Sequence, residues 1–156
     1  MKDYSIKPFK QGNEKAVHQL VKAVYDEFVR HENTEEGNLL FYDWIMPQKI
    51  AARQKQQNNL WLAWSSNKII GMIEIRDNQN ITLLFIDKNY QKRGIARNLF
   101  QTALNEYKKR EFNLDKFYVH ASLSSVPVYK SLGFYVVSKA RKENGIYYVP
   151  METDIL

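Results

Sequence analysis

Apolar and polar positions fall along this chain in two periods, and each period predicts its own elements. Tyr4-Ser5-Ile6-Lys7-Pro8 alternates, which predicts a short strand ended by Pro8. Ala16, Val17, Leu20, Val21, Val24 and Phe28 recur at helical spacing and form one face, so a helix is expected from Asn13, its N-cap, to near His31. The acidic stretch 32–38 contains Gly37 and reads as a loop, and residues 39–54 read as a second helix interrupted near Pro47. Strands are expected at 60–64 and 69–76, joined by the turn Ser65-Ser66-Asn67-Lys68. Residues 77–80 turn the chain into an apolar strand at 81–86.

The next helix opens near Gly94 and places Ile95, Leu99, Ala103, Leu104 and Tyr107 along one side. After Arg110 a loop leads to a strand at 116–121. Ser124 is the expected cap of a short helix reaching Leu132, with Pro127 in its first turn and Gly133 just past its end. Strands at 134–138 and 146–151 close the chain, and Asn144-Gly145 between them is a hairpin signal. The sum is an α/β chain, residues 1–156 as a single domain, with a mixed sheet that has hairpins in its middle and at its end.

Composition narrows the chemistry. With no cysteine, a disulfide scaffold, a thiolate metal site and an acyl-cysteine intermediate are excluded. No apolar run approaches the roughly 20 residues of a membrane span, and the start lacks an apolar signal stretch, so a cytoplasmic, membrane-free protein is expected. The net charge of +6 fits an anionic ligand without naming one. His18, His31 and His120 are too dispersed to form a close ligand pair, so no metal is expected.

One segment combines these signals. The strand at 81–86, the break Asp87-Lys88-Asn89-Tyr90 and then Gln91-Lys92-Arg93-Gly94-Ile95-Ala96 make a strand, a turn and a helix start. Free N–H groups and the helix dipole favour an anion there, small residues admit it, and Lys92, Arg93 and Arg97 add charge. The glycine spacing fits neither a P-loop nor a dinucleotide fold. It resembles the acyl-CoA pyrophosphate loop of the GNAT acetyltransferase superfamily, Gln/Arg-x-x-Gly-x-Gly/Ala. A second segment, from Ser124 through Tyr129 to Gly133-Phe134, resembles that family's Tyr-x-x-x-Gly-Phe element. Small bacterial members acting on low-molecular-weight or peptide amines are the nearest in pattern.

The resemblance implies the GNAT fold: a mixed, mostly antiparallel twisted sheet of about six to seven strands with helices on both faces. It also implies an acetyl-CoA-dependent N-acetyltransferase that moves the acetyl group directly to a primary amine in a ternary complex. Cofactor contacts would come from Leu84, Phe85, Ile86, Gln91, Lys92, Arg93, Gly94, Ile95, Ala96, Arg97, Ser125 and Tyr129, with main-chain groups near Leu84 holding the thioester oxygen. Tyr129 matches the tyrosine that protonates the departing thiolate.

The base position of many relatives aligns with Asn80, which cannot accept a proton at neutral pH. Glu74, His120 or a water chain remain as alternatives; Glu74 reads equally as a solvated strand carboxylate, and His120 reads at least equally as a binding contact, since the resemblance implies Asn at that position in many relatives. By analogy the amine would meet Glu27, Glu36, Tyr42, Trp44 and Tyr147. Two other readings stand beside this one. The first is a non-catalytic CoA-binding sensor or interaction module, favoured by Asn80. The second is a nucleic-acid binder, which would need a basic stripe outside the groove and is not expected. A homodimer through the last strands is permitted.

Overall fold

Burial on β2 (Leu60–Ser65) and β3 (Lys68–Arg76) explains the layers. Leu60, Leu62, Ile69 and Met72 enter one apolar cluster, while Trp61, Ala63, Ile70, Ile73 and Ile75 enter another on the opposite face. Strands buried on both sides read as continuous apolar runs. The computed structural model describes residues 3–77, 79–110 and 115–154. The start of the chain at Met1 and Lys2, Asn78 of the expected turn, and most of the loop expected after Arg110 lie outside these residues.

Helices α1 (Glu14–Phe28), α2 (Glu35–Trp44) and α3 (Pro47–Gln56) cover the first face, and α4 (Ile95–Lys109) and α5 (Val126–Ser131) the second. Val17, Leu20, Val21 and Val24 of α1 are buried, each worth about 1.5–3 kcal/mol relative to exposure. The remaining strands are β1 (Ser5–Pro8), β4 (Asn80–Ile86), β5 (Lys116–Ala121), β6 (Tyr135–Val136), β7 (Arg141–Glu143) and β8 (Ile146–Asp154). Their order is β1-β2-β3-β4-β5-β8-β6, with β7 also on β8. The β4–β5 pair is parallel, as its α4 crossover requires, and the other pairs are antiparallel.

Local differences from the sequence reading have identifiable causes. Helix α2 begins inside the stretch read as a loop, because the Thr34 hydroxyl accepts from the Gly37 N–H at 3.2 Å and caps it. Gly37 is there for contact: a Cβ on it would lie 2.3 Å from the Gly145 carbonyl oxygen. Asn13 does not cap α1 with its side chain, which instead accepts from the Lys10 N–H at 2.9 Å. Ser124 lies in a 3-10 turn, and α5 starts two residues later at Val126. The partner of β8 across Asn144-Gly145 is the short β7, while β6 pairs separately farther along β8.

One irregularity positions the site. Glu74 pairs with Leu83 and Ile75 with Ile81, so Thr82 is an extra residue on β4. Such a bulge bends its strand and raises its twist. The β4–β5 ladder holds at Asn80–Tyr118 and Ile81–Val119, and beyond it the two strands part.

Candidate active site

A cleft of about 1170 Å³ opens at this fork. Thr82, Leu84, Phe85 and Ile86 line one side, and Val119 and His120 line the other. Leu84, Phe85 and Ile86 are laddered to β3 on their far side, through Ile73, Met72 and Gly71. The Gln91 side chain donates to the Ile86 carbonyl at 3.0 Å, fixing the loop to the strand end.

The loop then turns sharply. Lys92 has φ 62° and Gly94 φ 83°, the latter as N-cap of α4. A Cβ built on Gly94 meets no atom within 4 Å, so glycine answers the backbone conformation and leaves open space beside the helix start. Gln91, Lys92, Gly94, Ile95, Ala96 and Arg97 line the cleft together. Arg93 does not line it. Its guanidinium lies 5.2 Å from the centre of the Tyr90 ring. Arg97 lines the cleft and donates to the Ser131 carbonyl at 2.7 Å, tying α4 to α5.

Tyr129 forms part of the wall from α5 and is 6% exposed. It packs edge-on against Phe134, with ring centres 5.4 Å apart, and burial raises its phenol above the ordinary range. Ser125 is also on the wall, its hydroxyl donating to the Ser122 carbonyl at 2.9 Å. His120 occupies the first position past the last β4–β5 pair. Its ring stacks on Tyr148 at 4.1 Å, and Tyr148 donates to Glu143 at 2.6 Å. Burial lowers the His120 pKa and the Arg141 charge lowers it further, while Glu143 opposes both.

Several expected site residues lie elsewhere. Glu74 is 2% exposed, is held by Arg53 and Gln54 and does not line the cleft, so it is neither a free base nor a solvated carboxylate. Glu27 pairs with Lys88 at 3.4 Å beside a separate cavity under α1. Glu36 is exposed on the first turn of α2, outside the cleft lining. Tyr42 turns toward α1, where it donates to Asp26, and burial with that carboxylate raises its phenol to about 12. Trp44 and Tyr147 do line the cleft.

Thr82, Asn33 and Glu143 also line it and were not singled out from sequence. Glu143 had a usable signal: it immediately precedes Asn144-Gly145, so a two-residue hairpin sets it opposite Ile146. Thr82 and Asn33 reach the cleft through a bulge and a long-range contact, which leave no mark in local pattern.

The α/β fold of this chain is shared with solved N-acetyltransferases. A GCN5-related N-acetyltransferase from Rhodopseudomonas palustris superposes with TM-score 0.80 at 14% identity, covering 99% of this chain and 97% of its own. The PaiA N-acetyltransferase from Thermoplasma acidophilum, solved in complex with coenzyme A, gives 0.77 at 14% identity, with 99% of each chain covered. A UPF0039 protein of Schizosaccharomyces pombe is 27% identical over 145 residues, 86% of this chain and 90% of that protein. The family model described as the acetyltransferase (GNAT) domain matches residues 11–155. The chain belongs to the GNAT acetyltransferase family. Among the described residues, no helix is long and apolar enough to cross a membrane.

Proposed function

We propose that the protein is an acetyl-CoA-dependent N-acetyltransferase acting on a primary amine by direct transfer. The observation that carries this reading is the continuity of one cleft from the Gly94 turn, past the exposed edge of β4, to Tyr129 and His120. The residues fit an acyl-CoA. The start of the fifteen-residue helix α4, with Lys92 and Arg97 beside it, suits a diphosphate. Leu84, Phe85 and Ile86 offer main-chain groups to an extended arm, and the coenzyme A bound by the Thermoplasma neighbour supports the same assignment.

Acetyl-CoA would supply the acetyl group as a thioester. Tyr129 keeps its proton in the ground state because burial disfavours its phenolate, and it donates that proton as the thiolate departs. The same dry wall disfavours a naked thiolate, so the transfer stays feasible. His120 takes a proton from the ammonium group of the acceptor. It suits this role because its lowered pKa leaves it neutral near pH 7 and because it stands at the fork.

The reading is tested by incubating the protein with acetyl-CoA and a panel of amines while following free thiol. The absence of cysteine removes any protein thiol background. Amine-dependent thiol release is the expected result. A thermal shift with coenzyme A and no turnover on any amine would favour a binding module instead.

A further inference from the structure

The end of the cleft beyond His120 is built for an apolar body. Tyr25, Phe28, Leu40, Phe41 and Trp44, from α1 and α2, and Tyr147 of β8 are among the residues lining the cleft. The expected acidic contacts Glu27 and Glu36 are absent from the lining. Two carboxylates remain there, Asp43 and Glu143, alongside Arg76. Asp43 is already paired with Lys49, and Arg76 lies 3.5 Å from Asp77. Glu143, which accepts from Tyr148, is left beside His120 as the carboxylate that can attract one ammonium, against the opposing charge of Arg141 on the same imidazole.

Aromatic walls can also cage cations, so the ring faces decide between the two. The Trp44 ring already carries the Arg53 guanidinium at 4.0 Å and that of Arg76 at 5.1 Å. Tyr147 carries Lys142 at 5.5 Å, and Tyr25 is stacked on Phe41 at 3.8 Å. Each of these rings already holds a cation or another ring, and Arg76 would repel a second positive charge.

A span of chain bounds this end of the cleft. The Thr34 N–H donates to the Gly145 carbonyl at 2.9 Å, and the Tyr147 N–H donates to the Asn33 side-chain oxygen at 2.8 Å. Glu32 accepts from the Leu123 and Ser124 N–H groups at 3.0 and 3.1 Å. The segment between α1 and α2 is therefore fastened to the β7–β8 hairpin and to the approach to α5.

We propose that the acceptor is a monoamine with an aromatic or branched apolar body, taken up by the Phe28–Leu40–Tyr147 end of the cleft with its ammonium toward Glu143 and His120. This rests on the acetyl-transfer reading for its chemistry, but binding tests it separately. Phenethylamine, spermidine and a lysine-containing polar peptide would each be titrated calorimetrically into the protein, with and without coenzyme A. Phenethylamine is expected to bind at least about tenfold more tightly than either of the others, the scale on which apolar pockets discriminate.

Leu40→Glu, at a position 46% exposed and therefore safe for folding, should weaken phenethylamine and strengthen spermidine. Tighter binding of spermidine or of the peptide, or no binding of phenethylamine, would overturn the proposal, as would an unchanged preference in the Leu40→Glu variant. Phenethylamine binding with no thiol release from it or from any other amine would instead remove the acetyl-transfer reading and leave only the cleft's preference for an apolar monoamine standing.

Discussion

Arg53 and Glu74 meet as a two-pronged ion pair, Nε to Oε2 and Nη2 to Oε1 both at 3.0 Å, joining α3 to β3 inside the protein. Gln54 adds a third donor to the same carboxylate at 2.8 Å, and Arg53 also donates to the Trp44 carbonyl while stacking on that ring. Removing one partner of a buried pair costs about 3–5 kcal/mol, since the other is left unpaired. Glu74→Ala should lower the urea midpoint accordingly, yet retain most turnover per folded molecule when assayed well below its melting temperature. A loss of turnover in folded Glu74→Ala as complete as removal of a general base would contradict this assignment.

Tyr129→Phe leaves the ring packed on Phe134 and removes only the hydroxyl. Turnover should fall by about 10²-fold, at the low end of general-acid effects, with coenzyme A affinity within a few-fold of the parent. Steady-state kinetics and calorimetry on the same preparation separate the two quantities. Unchanged turnover across pH would remove Tyr129 from the chemistry.

The acid limb of the pH profile should belong to His120. Its charge neighbours are Glu143 and Arg141, its ring stacks on Tyr148, and the net direction is down from the ordinary 6.5 because burial dominates. The kcat/KM limb is therefore expected with its midpoint below that value. His120→Gln should abolish the limb, reduce rates near neutrality and recover at high pH, where free amine is abundant. The folded protein also binds fewer protons at this site than the unfolded chain. Its stability contribution is thus complete above about 6.5 and lost as pH falls toward the folded value, so His120→Gln should flatten that part of the stability curve.

Gly94→Ala separates ligand contact from folding. The new methyl group meets no protein atom within 4 Å, so the folding cost is the left-handed backbone alone, about 1–2 kcal/mol. A ligand seated against the helix start would meet that methyl directly. Coenzyme A affinity should drop tenfold or more, well beyond what the change in melting temperature explains. Equal, small effects on both would place the ligand away from this turn.

Gly37→Ala tests the fastening of α2 to the hairpin. The added carbon would sit 2.3 Å from the Gly145 oxygen, and backbone must move to admit it. A destabilisation of about 1–3 kcal/mol is expected, the range for overpacking. Amine KM should rise more than coenzyme A affinity falls, since the contact bounds only the acceptor end. A variant as stable as the parent would show that the hairpin is loosely held.

The regular elements were legible because period and turn chemistry are local. Val17, Leu20, Val21 and Val24 announce the buried side of α1, and Asn144-Gly145 announces the last turn whichever strand pairs across it. Boundaries failed where a distant partner decided them. The helix at 35–44 was hidden behind Gly37, which looks like a breaker and is in fact the place where Gly145 comes close. Glu74 could be read equally as a base or a surface carboxylate, because its partner Arg53 is twenty-one residues away on another element.

By itself the chain order determined an α/β fold with a glycine turn and a helix start after its central strand and a tyrosine before Gly133-Phe134, since these are written in contiguous residues. Tertiary structure decided which side chains share the cleft. The bulge at Thr82 parts β4 from β5, ion pairing takes Glu74 inward, and α2 rotates Tyr42 toward α1 while Trp44 faces the opening. Each of these turns on the packing of elements far apart in sequence, and no local period encodes it.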